Sequence, residues 1–156
     1  MSRLATAVAV GALALMPSVA AGQSAASHRM KWGPQVSLAF EGSDVGVGAR
    51  LQYSLSGLLG GAPISGIAEG NWFPGSVDIF DLNYNVVYSW RSTSLTPYAG
   101  GGLNLLIASP GASYFHLNAL GGIIFRPMGK VTPLLQLRYI LVGGGDEFIG
   151  TFGIMF

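Results

Sequence analysis

The 156-residue chain is apolar and carries little charge, and this balance excludes several classes of protein. Hydrophobic residues make up 50% of it and charged residues 10%, with a mean hydropathy of +0.49, whereas soluble domains average about 25% charged residues. A net charge of +1 supplies no concentrated basic face for nucleic acid. Because cysteine is absent, neither a disulfide scaffold nor a thiolate metal site can form.

The N-terminus has the pattern of a secretory signal peptide. Arg3 supplies the positive start, residues 4–16 form an apolar run, and residues 17–22 provide the small side chains of a cleavage region. We predict that residues 1–22 are cleaved off. Cleavage after Ala20 also fits the pattern, and an uncleaved anchoring helix is the alternative.

After a flexible lead-in over residues 23–31, the chain from 32 to 156 alternates in polarity and is divided by Gly, Pro, Asp and Ser. No segment of it has the ~18 uninterrupted apolar residues of a membrane-spanning helix. Most of its segments instead approach the ~9–11 residues with which a tilted strand crosses a bilayer. We predict eight strands, at residues 32–40, 45–55, 64–73, 80–91, 97–107, 114–126, 131–142 and 147–156.

The two faces of these strands differ in a way that favours a membrane barrel. In the second strand, Val47, Leu51 and Tyr53 alternate with Arg50 and Gln52. The apolar face carries large aromatic residues, while the other face mixes charge with Gly and Asn. We therefore predict an all-β, eight-stranded antiparallel up-and-down transmembrane β-barrel, with the apolar face toward lipid and the polar face inside. A soluble lipocalin-like barrel, with the faces reversed, is the alternative.

The sequence does not decide which side chains of the fifth strand point into the barrel. Tyr98 has the same parity as Gly100, Gly102 and Asn104, so regular alternation places it inside the barrel. A bulge within the glycine run would instead turn Tyr98 toward lipid.

The last strand ends on an aromatic residue, with Phe152, Ile154 and Phe156 on one face. Together with Leu95–Gly102 and Asp81–Asn85, this ending resembles the family of small eight-stranded outer-membrane β-barrels of the outer membrane protein X and outer membrane protein A type. The resemblance covers the chain from about residue 31 to its end.

The resemblance implies a location and two kinds of partner. It implies integral insertion into a bacterial outer membrane after signal cleavage, with periplasmic termini and contact with lipid and lipopolysaccharide. It also implies that Phe152, Ile154 and Phe156 are the signal read by the barrel-assembly machinery. The presumed outer loops at 41–44 and 109–112 are short, which departs from the family pattern and disfavours a receptor or adhesin role.

Three charged residues are predicted to meet inside the barrel. With strands alternating up and down, Arg50, Glu69 and Arg138 fall on inward positions near mid-membrane. An isolated buried charge is costly, so we expect them to pair. The pairs either fill a narrow interior, as eight strands allow, or form the gate of a very narrow pore.

Charges and aromatic residues also separate along the barrel axis. The predicted inner end carries the basic residues Arg29, Lys31, Arg91, Arg126 and Lys130. The predicted outer rim carries the acidic residues Glu41, Asp44, Asp78, Asp81, Asp146 and Glu147. The rim is either a set of solvated loop charges or a place where divalent cations bridge carboxylates to lipopolysaccharide phosphates. Aromatic residues near both ends are typical of interfacial girdles.

Catalysis has little support in the sequence. His116 is the one histidine within a predicted strand, and Asn118 follows it on the same face rather than a serine or an aspartate. Ser113 has the opposite parity to His116, and no phosphate-binding loop, dinucleotide fingerprint, zinc spacing or serine-hydrolase elbow is present. We therefore predict a structural or interaction protein with no cofactor or metal, and keep the narrow gated pore and the soluble binding barrel as alternatives.

Overall fold

Eight antiparallel strands make up the fold in the computed structural model, which describes residues 30–90, 92, 94–141 and 147–156. The strands are β1 Lys31–Ala39, β2 Asp44–Ser54, β3 Ile64–Phe73, β4 Ile79–Ser89, β5 Leu95–Ala108, β6 Ala112–Phe125, β7 Thr132–Leu141 and β8 Glu147–Met155. The predicted signal peptide and residues 23–29 of the lead-in lie outside the described residues. Within the described part of the chain, no helix has the length and apolarity needed to cross a membrane.

Each strand pairs with its neighbour in sequence, and β1 pairs with β8 to close the barrel. The predicted up-and-down antiparallel barrel is thereby confirmed. One end of the barrel holds the start of β1, the end of β8 and the β2–β3, β4–β5 and β6–β7 connections, and we call it the terminal end. We call the opposite end, with the β1–β2, β3–β4 and β5–β6 connections, the loop end.

The fifth strand runs through its glycines without a bulge. The register of β5 with both β4 and β6 is continuous, and Tyr98 is buried inside the barrel. The ring fits there because it lies against Gly122, where a Cβ would come within 2.5 Å of it. On β5 itself, a Cβ on Gly100 would collide with the backbone of β4. The glycines thus make room for close strand contact and for one inward tyrosine.

The seam between β1 and β8 is the shortest of the strand pairings. It runs over five residue pairs, from Gln35 opposite Gly153 at one end. Pro34 comes next and has no N–H to donate to the ladder. Nearer the terminal end, the backbone N–H of Phe156 donates to the carbonyl of Trp32 at 2.8 Å, and the two rings lie 5.7 Å apart. Phe156 therefore adds one backbone hydrogen bond and one ring contact between β1 and the end of β8.

Candidate functional site

The interior of the barrel is layered. A polar band at mid-height is enclosed by one apolar cluster toward each end. The cluster at the loop end consists of Ala39, Phe73, Ile79, Ile140 and Ile149. The cluster toward the terminal end consists of Ile67, Val87, Tyr98, Leu120 and Ile124. The buried polar residues between them include Gln35, Ser37, Arg50, Glu69, Asn71, Asp81, Asn83, Asn104, Asn118, Gln136, Arg138 and Thr151.

Four charged side chains form the centre of the polar band. Arg50 Nη1 lies 3.0 Å from one Glu69 oxygen, and Arg138 Nη1 lies 3.4 Å from the other. Arg138 also forms an ion pair with Asp81 through Nη2. The structure thus brings the predicted trio of Arg50, Glu69 and Arg138 together and adds Asp81. The four form an alternating chain whose formal charges cancel.

The prediction that Asp81 lies at the rim was wrong. Its side chain is 0% exposed and points into the barrel. Asn83 Nδ2 donates to Asp81 Oδ1 at 2.9 Å and Asn71 Nδ2 to Oδ2 at 3.0 Å, and Asn104 donates as well. Since Asp81 is the third residue of β4 and shares parity with Asn83, alternation could have placed it inside.

Gln136 and Tyr98, which the sequence analysis did not assign to the site, connect the charges across the bore. The Gln136 amide nitrogen donates to both Glu69 oxygens at 3.0 and 3.1 Å. Its carbonyl oxygen accepts from Arg50 at 2.7 Å and from the Tyr98 hydroxyl at 2.9 Å. The Arg50 guanidinium also lies 5.3 Å from the centre of the Tyr98 ring. Four strands are thereby cross-linked through side chains.

Several buried polar atoms have no hydrogen-bond partner among the described residues. They are the side-chain oxygens of Gln35, Asn85, Asn104 and Asn118, the amide nitrogen of Asn85, and Nε of Arg50 and Arg138. In the strand register, Asn85 and Asn118 flank Gly102, which has no side chain between them. Buried groups of this kind usually bind internal water. The polar band is therefore a better environment for water than for an additional ion, since its charges already balance.

Four of the remaining acidic residues predicted at the rim lie within the part of the chain that the structure describes. Glu41, Asp44, Asp78 and Glu147 lie at the loop end, and Asp146 lies outside the described residues. Asp44 and Glu147 line a small cavity of about 40 Å³ there. Among the residues that the structure describes, no three side chains of metal-binding type come together.

The predicted histidine position also lacks a catalytic arrangement. His116 is partly exposed on β6, and its ring stacks on Tyr114 with the ring centres 6.2 Å apart. In the strand register its neighbour on β5 is Asn104, whose amide nitrogen is engaged with Asp81 and Asn83. Among the described residues, the neighbours given by the ring contact and the register are Tyr114 and Asn104, and neither is the serine or carboxylate of a catalytic pair with His116.

Large apolar side chains cover the outer wall of the barrel. Exposed aromatic residues near the terminal end are Trp32, Tyr88, Trp90 and Phe156, and those near the loop end are Phe40, Trp72, Phe80, Tyr114, Phe115 and Phe148. Between the bands, the hydroxyls of Tyr53 and Tyr84 hydrogen-bond to each other at 2.5 Å. These two hydroxyls on the apolar wall are therefore polar partners of each other.

Comparison with known proteins identifies the fold. No family model and no curated protein matches the chain. Among solved structures, the N-terminal β-barrel domain of Pseudomonas aeruginosa OprF matches with a TM-score of 0.66 and 14% identity, over 81% of this chain and 95% of that one. The fold is that of the small outer-membrane β-barrels.

Two further small outer-membrane β-barrels match over the same share of the chain. Neisserial surface protein A has a TM-score of 0.53 at 16% identity and is covered over 92% of its length. The attachment invasion locus protein Ail of Yersinia pestis has a TM-score of 0.52 at 16% identity and is covered over 93%. The predicted resemblance to small eight-stranded outer-membrane barrels is thus confirmed for the fold.

Proposed function

We propose that the chain is an integral outer-membrane β-barrel with a filled polar interior and a structural or interaction role. The observation that carries the proposal is the composition of the outer wall, where Phe115 is 64% exposed and Leu117 61%. Soluble monomers rarely expose a contiguous apolar patch of more than a few hundred Å². In this barrel, exposed large apolar side chains occur on all eight strands. Lipid is therefore the solvent that suits the outer wall.

The layered interior supports a filled barrel over the alternative of a narrow pore. The bore of an eight-stranded barrel is just wide enough for side chains to fill it. Ions would have to cross two apolar clusters and separate the pairs that Glu69 makes with Arg50 and Arg138. Conductance would therefore require breaking a neutral buried network, which is energetically costly.

The soluble lipocalin-like alternative fits the two faces poorly. A soluble carrier would place its apolar side chains around a ligand inside the barrel. The inward positions here hold ion pairs and asparagines, while the outward positions hold tryptophan, phenylalanine and leucine. Nothing in the described residues favours an enzymatic role, since His116 stacks on Tyr114 and lies opposite Asn104 in the register rather than beside a serine or a carboxylate.

The proposed location is the bacterial outer membrane, reached after cleavage of residues 1–22. Phe152, Ile154 and Phe156 lie on the outer face of β8, where the barrel-assembly machinery could read them during insertion. Lipid and lipopolysaccharide are the proposed partners of the folded barrel. Because the loop-end carboxylates form no three-ligand group within the described residues, any bridging cation would be shared with lipopolysaccharide phosphates.

Cell fractionation followed by gel electrophoresis tests the proposal. We expect the protein in the outer-membrane fraction, with a folded band whose mobility changes on boiling. Planar-bilayer recording of the same sample tests the pore, because a gate built on Glu69 predicts that Glu69→Ala alters conductance. Recovery as a soluble periplasmic protein would contradict the proposal and direct attention to a ligand inside the barrel.

A further inference from the structure

The charged side chains outside the bore separate between the two ends of the barrel in the part of the chain that the structure describes. The acidic residues Glu41, Asp44, Asp78 and Glu147 lie at the loop end, and the basic residues Lys31, Arg126 and Lys130 lie at the terminal end. Among the described side chains, the terminal end carries three positive charges and no negative one, so its net charge stays positive even with the α-carboxylate of Phe156. Its electrostatic complement is an anionic surface.

The β2–β3 turn extends this end with exposed leucines. Leu58 is 59% exposed, and Leu59 is exposed beside it. Backbone hydrogen bonds order the turn. The N–H of Leu58 donates to the carbonyl of Leu55 at 3.0 Å, and the N–H of Gly61 donates to the carbonyl of Ser56 at 2.8 Å. Gly61 adopts a positive φ of 85°, which a residue with a side chain rarely tolerates. An ordered turn thus presents two apolar side chains beyond the strand ends.

The β6–β7 turn also presents an apolar side chain, and unlike the β2–β3 turn it carries a basic one as well. Met128 and Val131 exchange backbone hydrogen bonds of 2.8 and 3.3 Å, and Gly129 has a φ of 67°. Met128 is 68% exposed, and Lys130 is exposed at the tip. In the closed strand order, this turn is four strands away from the β2–β3 turn, half of the way around the barrel. Exposed apolar turn side chains therefore occur on opposite sides of the rim, with Lys130 in one turn and Lys31, opposite Gln52 of β2, nearest the other.

We propose that the terminal end is a binding surface for an anionic phospholipid leaflet. The basic side chains would contact lipid phosphates, while Leu58, Leu59 and Met128 would enter the boundary between headgroups and acyl chains, as in interfacial membrane segments. The adjoining outer wall carries exposed Trp32 and Trp90, so the surface continues the apolar belt. The inference rests on the proposed function, because it requires the barrel to lie in a bilayer.

Folding equilibria in vesicles of different charge test the inference. The full chain is folded into phosphatidylcholine vesicles with or without phosphatidylglycerol, and unfolding by urea is followed through the heat-modifiable band. Attraction to an anionic membrane is worth about fivefold in an equilibrium constant per basic residue at low salt. Phosphatidylglycerol should therefore raise the folding constant of the wild type. In the Arg126→Gln/Lys130→Gln variant, the ratio of the folding constants with and without phosphatidylglycerol should be about 25-fold smaller.

The loop end supplies the matched control. Glu41→Gln/Asp44→Asn also neutralises two exposed charges, yet it should leave the gain from phosphatidylglycerol intact or increase it. Leu58→Ser/Leu59→Ser should lower the folding constant in both kinds of vesicle, because the leucines leave water in either lipid. An equal gain in the wild type and the arginine–lysine variant would overturn the inference. An unchanged folding constant in the leucine variant would also overturn the inference. That result is expected if Leu58 and Leu59 instead bind a soluble protein.

Failure of the proposed function would give a different result. A protein that forms no heat-modifiable band in either kind of vesicle is not a membrane barrel, and both proposals would then fall. A band in both lipids with no dependence on phosphatidylglycerol would leave the membrane barrel in place and refute the lipid preference alone.

Discussion

Replacing Asp81 with asparagine tests whether the four buried charges act as one balanced network. The substitution keeps the shape of the side chain and removes one negative charge, so the network changes from formally neutral to a net charge of +1. It also places an amide nitrogen where the carboxylate accepts from Asn71, Asn83 and Asn104. The variant therefore loses an ion pair and brings buried donors together.

The size of the effect follows from the pairs that remain. Arg138 keeps one carboxylate neighbour, Glu69 at 3.4 Å, and Glu69 is itself shared with Arg50 at 3.0 Å. Removing one member of a buried pair costs about 3–5 kcal/mol. Because Glu69 compensates part of the arginine charge, we expect the free energy of unfolding of Asp81→Asn to fall by about 3 kcal/mol, the lower end of that range.

Equilibrium unfolding in urea, read from the heat-modifiable band in lipid vesicles, measures this change. Glu41→Gln is the control, since it removes an exposed loop-end charge and should stay within about 0.5 kcal/mol of the wild type. Asp81→Asn combined with Arg138→Gln restores neutrality, so its loss should be smaller than the sum of the single losses. If Asp81→Asn were as mild as the control, or if the two substitutions were additive, the network argument would be refuted.

Three further substitutions test other parts of the structure. Gly100→Ala should destabilise the barrel by about 1–3 kcal/mol, because its Cβ would collide with β4, whereas Gly75→Ala at an ordinary contact distance should be close to neutral in the same urea titration. Tyr98→Phe should cost about 1–2 kcal/mol by removing the hydroxyl that donates to Gln136, and an unchanged unfolding midpoint would contradict that role. Phe156→Ala should reduce recovery from the outer membrane of cells far more than refolding in detergent, and equal losses in both would argue against an assembly signal.

Alternation in the sequence was enough to predict most of the architecture. It predicted eight strands, and the structure contains eight with boundaries close to those expected. It also predicted that Arg50, Glu69 and Arg138 point inward, because parity along a strand decides the face of each side chain. The sequence left the facing of Tyr98 open, and the continuous register of β5 decides that it points inward.

The Asp81 prediction was wrong because the position of a residue along its strand does not give its depth inside the barrel. The residue lies near the loop-end start of β4 and was therefore expected at the rim. Its burial depends on the stagger between strands around the barrel, which brings Arg138 of β7 and Asn104 of β5 to its carboxylate. The sequence shows that Asp81 and Asn83 share a face of β4. It does not show how far neighbouring strands are shifted along one another.

The sequence by itself determined where most strands run and which residues of a regular strand share a face, because both follow from the two-residue period of an extended chain. It also determined the opposite charges of the two barrel ends, since an up-and-down order assigns alternate connections to alternate ends. Only the tertiary structure decided that Asp81 completes the charge network and that Gln136 and Tyr98 connect it. Those contacts join residues up to 86 positions apart, such as Arg50 and Gln136. Barrel closure and strand stagger, rather than any local pattern, bring such residues together.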